Sequence, residues 1–128
     1  MNLQPAQAIL IVDDAPTITD TFSRMLQHEG FTVYAAVNPK GGLEIAADKL
    51  PDAIIPDLRM PLVSGLQFLQ HLREPPALQA TPVAVVTGDH FVDTGTTSEI
   101  EALGASILFQ PLRLEDLLSL ARSLTEAT

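Results

Sequence analysis

Four short apolar runs each end on a polar side chain, and those side chains are the ones whose types and spacing could do chemistry. Asp13 and Asp14 follow Ile9-Leu10-Ile11-Val12, Asp57 follows Ala53-Ile54-Ile55-Pro56, Thr87 follows Val83-Ala84-Val85-Val86, and Gln110 follows Ile107-Leu108-Phe109. If those runs are neighbouring strands, three carboxylates meet at one place. Two like charges ~4 Å apart repel by about 4 kcal/mol at an effective dielectric of roughly 20. Such a group needs a counter-ion, or carboxyls that keep their protons. Oxygen ligands from carboxylate, carbonyl and water suit a hard divalent cation, and a shell completed by water suits Mg2+. Taken singly, each aspartate could instead cap a turn, since strand-to-helix junctions favour Asp. As a set they read as a cation site.

The elements that must position these residues follow a repeated rhythm. Continuous apolar runs at 8–12, 31–36, 53–55, 83–86 and 107–109 predict strands buried on both faces. Helical patterns lie between them. Ile18, Phe22, Met25 and Leu26 form one stripe that stops near Gly30, a C-terminal cap. Asn38-Pro39 reads as N-cap and first residue of a helix reaching Leu50, weakened by Gly41-Gly42. Ser64 with Gln67 is a capping box ahead of Leu66, Leu69 and Leu72, and Thr96 with Glu99 is another, for a short helix ending near Gly104. Leu114, Leu117, Leu118, Ala121 and Leu124 give the clearest amphipathic helix. Strands alternating with helices imply a mostly parallel sheet covered on both faces with right-handed crossovers. The polar residues then share the carboxyl edge of the strands, where open parallel sheets build their crevices.

Composition sets the outer bounds. The 128 residues suit one domain, 1–128, with an ordered core over about 7–126, and an apolar content of 46% argues against disorder. Cysteine is absent, which excludes disulfides and thiolate metal sites and fits a cytoplasmic address. Seven basic against sixteen acidic side chains, a net charge of −9, remove the basic footprint that nucleic-acid binding requires. The opening MNLQPAQA carries no basic leader, and no apolar run reaches membrane-spanning length, so neither a nucleic-acid nor a membrane partner is expected.

The stretches LIVDDAP, DAIIPDLRMPLVSG, PVAVVTGD and FQPLRLEDLL, in this order, resemble the receiver domain of bacterial two-component response regulators over nearly the whole chain. The resemblance implies a flavodoxin-like three-layer α/β/α sandwich: a five-stranded parallel sheet in the order 2-1-3-4-5 with five helices. It implies that Asp57 accepts a phosphoryl group from a sensor histidine kinase or phosphotransfer protein. Asp14 and Asp57 would ligate Mg2+ directly, Asp13 largely through water, and the backbone carbonyl of Arg59 would complete the protein ligands. Thr87 would hydrogen-bond the phosphoryl oxygen, and Gly88 would leave space for it. A downstream protein or output domain would read the result.

The sequence departs from that pattern at several places. Where the family carries a lysine, Gln110 precedes Pro111. A hydrogen bond to a charged group contributes roughly 1.5–3 kcal/mol against roughly 0.5–1.5 for a neutral one, so weakened phosphorylation or switching is expected. The family's switching aromatic falls on Ile107. Phe109 lies nearby, but strand alternation was expected to turn it away, into the core. Pro56 removes one donor from an inner strand and reads as a tolerated strand-end proline. Arg59 and Asp89 flank the pocket and either pair across it or stay solvated. His28, His71 and His90 have no ligand spacing.

Three functions compete. The first is a phosphorylatable switch with a compromised trigger, regulatory rather than enzymatic. The second is a phosphorylation-independent interaction module on the same scaffold. The third, a Mg2+-dependent phosphohydrolase, lacks a general acid and the charged lysine. A flavin site fails because Asp-Asp-Ala-Pro after the first strand repels phosphate. Leu112, Leu114, Leu117 and Leu120 either offer a homodimer surface around the last helix or fill the core.

Overall fold

The computed structural model describes residues 7–57, 65–87, 94–109 and 114–126. Arg59, Ser64, Gly88, Asp89, His90, Gln110 and Leu112, each singled out above, lie outside the described residues.

The elements run β1 (Ala8–Val12), α1 (Pro16–His28), β2 (Thr32–Ala36), α2 (Pro39–Lys49), β3 (Ala53–Pro56), α3 (Gly65–Leu72), a 3-10 turn (Pro76–Leu78), β4 (Val83–Thr87), α4 (Thr94–Ala102), β5 (Ala105–Phe109) and α5 (Leu114–Glu126). The sheet has the order β2-β1-β3-β4-β5 with every pair parallel, the topology the family resemblance implied. Its ladders set Leu10 opposite Tyr34 and Ile54, and Val85 opposite Ile107.

Alternation along each strand divides the interior in two. Leu10, Val12, Ile54, Val83 and Val85 pack with Ala46 of α2, Phe68, Leu69 and Leu72 of α3, and Ile100 of α4. Ile9, Ile11, Ala53, Ile55 and Val86 pack with Leu26 of α1 and with Leu117 and Ala121 of α5. A central strand buried on both faces has no room for polar alternation, which is why these runs are continuously apolar.

Local signals explain some of the helix ends. Pro16 opens α1 at a position whose N–H would be unsatisfied anyway, and Gly30 past its end takes φ +95°. Asn38 caps α2 by accepting the Gly41 N–H at 2.7 Å. Of the glycine pair that weakens α2 by propensity, Gly42 has a packing reason: a Cβ there would come within 2.8 Å of Val12 Cγ2 and 3.2 Å of Phe68 Cε2. Only a glycine lets α2 lie this close to β1.

Two expectations need correction. Thr96 is not the N-cap of α4, because the helix begins at Thr94 and Thr96 sits inside it. Capping-box spacing also occurs within a helix, and here it marked no boundary. Phe109 is not a core residue: it is 41% exposed, at the outer edge of the sheet where β5 has no neighbour beyond it. Nor does alternation separate it from Ile107, since residues two apart share a strand face. Leu117 is fully buried and the half-buried Leu120 packs against the same core, so both contribute to the core-filling role weighed for the leucines of the last helix.

Away from the carboxyl edge, Arg73 follows α3 and gathers three backbone carbonyls. Its Nη1 donates to Leu78 at 2.7 Å and Thr81 at 2.8 Å, and its Nε donates to Leu103 at 2.9 Å. Partial burial pushes the guanidinium pKa down, and these carbonyls replace the water it gives up. One side chain thereby ties the 3-10 turn, the approach to β4 and the α4–β5 turn together.

Candidate functional site

The site grows from the ends of β1, β3 and β4. The Asp13 N–H donates to the Ala36 carbonyl at 3.0 Å, fixing the chain as it leaves β1 beside β2. Its Oδ1 accepts the Ala15 N–H at 2.9 Å, so Asp13 both shapes the turn into α1 and presents a carboxyl inward. Asp57 is positioned from the other side, its N–H donating to the Val12 carbonyl at 2.8 Å. A single bridge pairs Asp57 with Val86, the residue before Thr87.

These backbone anchors bring Asp13, Asp14 and Asp57 together, with one carboxylate oxygen from each lying within 4.8 Å of the others. Among the described residues this is the group with the donor set for a cation. Asp13 is 7% exposed, Asp57 half-buried and Asp14 exposed. Thr87, 0% exposed, ends β4 one residue after the Val86 that bridges Asp57. Phe109 is its register partner on β5.

The charges are strained in the direction the sequence suggested. Burial pushes the Asp13 carboxyl above its ordinary pKa, against the lowering effect of the Ala15 N–H, while the charge of Asp14 and a hydrogen bond that protonated Asp13 donates to it push the same way as burial. A cation offsets that cost by replacing like-charge repulsion with ligand bonds. Three clustered carboxylate oxygens fit Mg2+, which holds few protein oxygens and keeps several waters. The acidic rim is therefore a suitable cation cradle.

Sequence reasoning placed Asp13, Asp14, Asp57 and Thr87 on this edge, and all four are there. Arg59, Gly88, Asp89 and Gln110 lie outside the described residues. It missed the Thr87–Phe109 pairing, because the family pattern put the switching aromatic on Ile107 and drew attention away from Phe109. The parallel match of Val83-Ala84-Val85-Val86-Thr87 to Ala105-Ser106-Ile107-Leu108-Phe109 was the available signal.

A doubly covered parallel sheet with an acidic crevice at its carboxyl edge defines a signalling receiver architecture, and comparisons with known proteins agree. Residues 9–122 match the family model of the response regulator receiver domain. The chain belongs to that family, the receiver domains of two-component systems. It is 32% identical over 120 residues to the response regulator MprA of Mycobacterium ulcerans, an alignment covering 94% of this chain and 50% of that protein. It is 37% identical over 79 residues to protein PilH of Pseudomonas aeruginosa, covering 62% of this chain and 65% of PilH. The chain thus spans about half the length of its MprA relatives. Among solved structures, the chemotaxis protein CheY4 of Vibrio cholerae superposes with a TM-score of 0.85 at 28% identity, covering 93% of this chain and 98% of CheY4. No helix among the described residues is long and apolar enough to cross a membrane.

Proposed function

We propose that this receiver domain takes a phosphoryl group on Asp57 from the phosphohistidine of a histidine kinase or phosphotransfer protein. The observation that carries the proposal is the convergence of three carboxylate oxygens within 4.8 Å beside the buried Thr87. An Asp57 oxygen bonds to phosphorus as the P–N bond to the donor imidazole breaks, leaving an acyl phosphate and a free histidine. In-line transfer of this kind depends on positioning and on neutralised charge. Asp13, Asp14, Asp57 and the Arg59 carbonyl would hold Mg2+, which supplies that neutralisation when bound. Thr87 offers a hydroxyl to the new phosphoryl oxygens, so charge arriving at Asp57 is read one strand away. The readout then passes to a downstream protein or output domain. Within the single domain 1–128, Gly88, Arg59 and Asp89 tune access to the pocket.

Gln110 sets the strength of the response. A neutral amide replaces an ammonium, which leaves the acidic rim one positive charge short. The test is incubation with Mg2+ and acetyl phosphate, followed by intact mass spectrometry. One added phosphoryl group is expected, absent in Asp57→Asn, and its yield should rise in Gln110→Lys. No modification at saturating donor would sink the reading and leave a phosphorylation-independent interaction module. Unchanged yield in Gln110→Lys would remove the charge argument alone.

A further inference from the structure

Among the described residues the sheet carries one interruption, and it falls between the two strands that lead to Asp57 and Thr87. The ladders of β1–β2, β1–β3 and β4–β5 run the length of their strands. The β3–β4 ladder pairs Ile54 with Val83 and resumes only at the isolated bridge of Asp57 with Val86. The register is the same on both sides of the gap, so no bulge causes it.

The cause can be read from donor directions. Successive N–H groups of a strand point to opposite neighbours. Ile54 donates to the Pro82 carbonyl at 3.0 Å, toward β4, and Asp57 donates to the Val12 carbonyl at 2.8 Å, toward β1. Position 56 therefore faces β4, and proline there has no N–H to give. By the shared register, the acceptor deprived of its donor is the carbonyl of Ala84, a residue 0% exposed. A buried carbonyl without its ladder partner weakens the seam at that point.

We infer that Pro56 is a positioning residue: it softens the β3–β4 seam so that Thr87 can adjust its distance to Asp57, while the intact β1–β3 seam holds Asp57 against Asp13 and Asp14. The missing bond separates Asp57 from the hydroxyl that reads it, not from the carboxylates that share its cation. This deepens the proposed function and rests on it for the role of Thr87, but the seam itself does not. A sheet with one compliant joint can fix a metal site rigidly and still let the neighbouring strand respond.

The experiment restores the donor. Pro56→Ala adds the N–H with little bulk, and Pro56→Val adds it while filling the space. Amide hydrogen exchange on the full chain without Mg2+ should show the Ala84 and Val86 amides slowed on the order of tenfold in either variant, equivalent to about 1.4 kcal/mol for one net backbone bond. Titration with Mg2+ alone should give the wild-type affinity, whereas beryllofluoride with Mg2+ should bind several-fold more weakly, because Thr87 is held back. Unchanged seam exchange in both variants would overturn the soft joint. Slower exchange with unchanged beryllofluoride affinity would overturn its positioning role. Failure of wild type to bind beryllofluoride at all would count against the proposed function and the role of Thr87, while the exchange data still decide the seam.

Discussion

Asp13 shows how one side chain can serve the site at the expense of the fold. It is nearly buried, next to Asp14 and within reach of Asp57, and its carboxyl holds a proton more tightly in the folded chain than in the unfolded one. A group whose folded pKa is raised adds stability in full below its unfolded value, ordinarily ~3.9 for Asp, and loses it as pH rises through the folded value. At neutral pH without a divalent cation, ionised Asp13 is therefore a burden. Asp13→Asn keeps an oxygen for the Ala15 N–H and removes the charge. In EDTA at pH 7 this variant is expected to melt above wild type, with the advantage shrinking as pH falls toward 4. In Mg2+ the order should narrow or invert, since only wild type gains the ligand. A melting curve at three pH values, with and without Mg2+, checks this, and a lower melting point for the variant in EDTA would contradict it.

At the scale of elements, the termini of the helices were partly written in local sequence and partly not. Asn38-Pro39 and Gly30 act where their chemistry demands, since cap and positive-φ preferences are properties of a few adjacent residues. Thr96 misled because the same spacing fits a cap and a helix interior. The end of α2 carries an anomaly no pattern suggested: Leu50 takes φ 47°, a left-handed conformation, with 54% of its surface exposed. A branched side chain costs about 1 kcal/mol or more in that region, and exposure returns little through burial. Leu50→Gly should stabilise the chain by about 1 kcal/mol, raising the urea midpoint at constant slope. A lowered midpoint would mean that Leu50 earns its place through packing.

For the whole molecule, the alternation of strands with helices and the carboxyl rim were legible because buried parallel strands leave continuous apolar runs, and the functional residues follow those runs directly. The order of the strands came from the family resemblance. Tertiary choices were not legible. Arg73 reads as an ordinary polar residue after a helix, and nothing local shows that it reaches carbonyls up to 30 positions away. Strand alternation suggested a core place for Phe109, yet β5 is an edge strand and Phe109 is 41% exposed. Pro56 looked like an oddity of one residue until the register showed which neighbour it deprives.

The partition of the interior by the sheet has a consequence for how damage spreads. Phe68 and Leu117 lie on opposite sides of the same strands and share no packed neighbours within their clusters. Phe68→Leu and Leu117→Ala should therefore destabilise additively, within about 0.5 kcal/mol in a double-mutant cycle, whereas Phe68→Leu with Leu69→Ala, inside one cluster, should not. A coupling between the first pair as large as that of the second would mean the strands flex enough to carry packing across their thickness. If additivity holds, the domain has two interiors that tolerate substitution independently, and sequence drift on one side leaves the other free to keep its own helices in place.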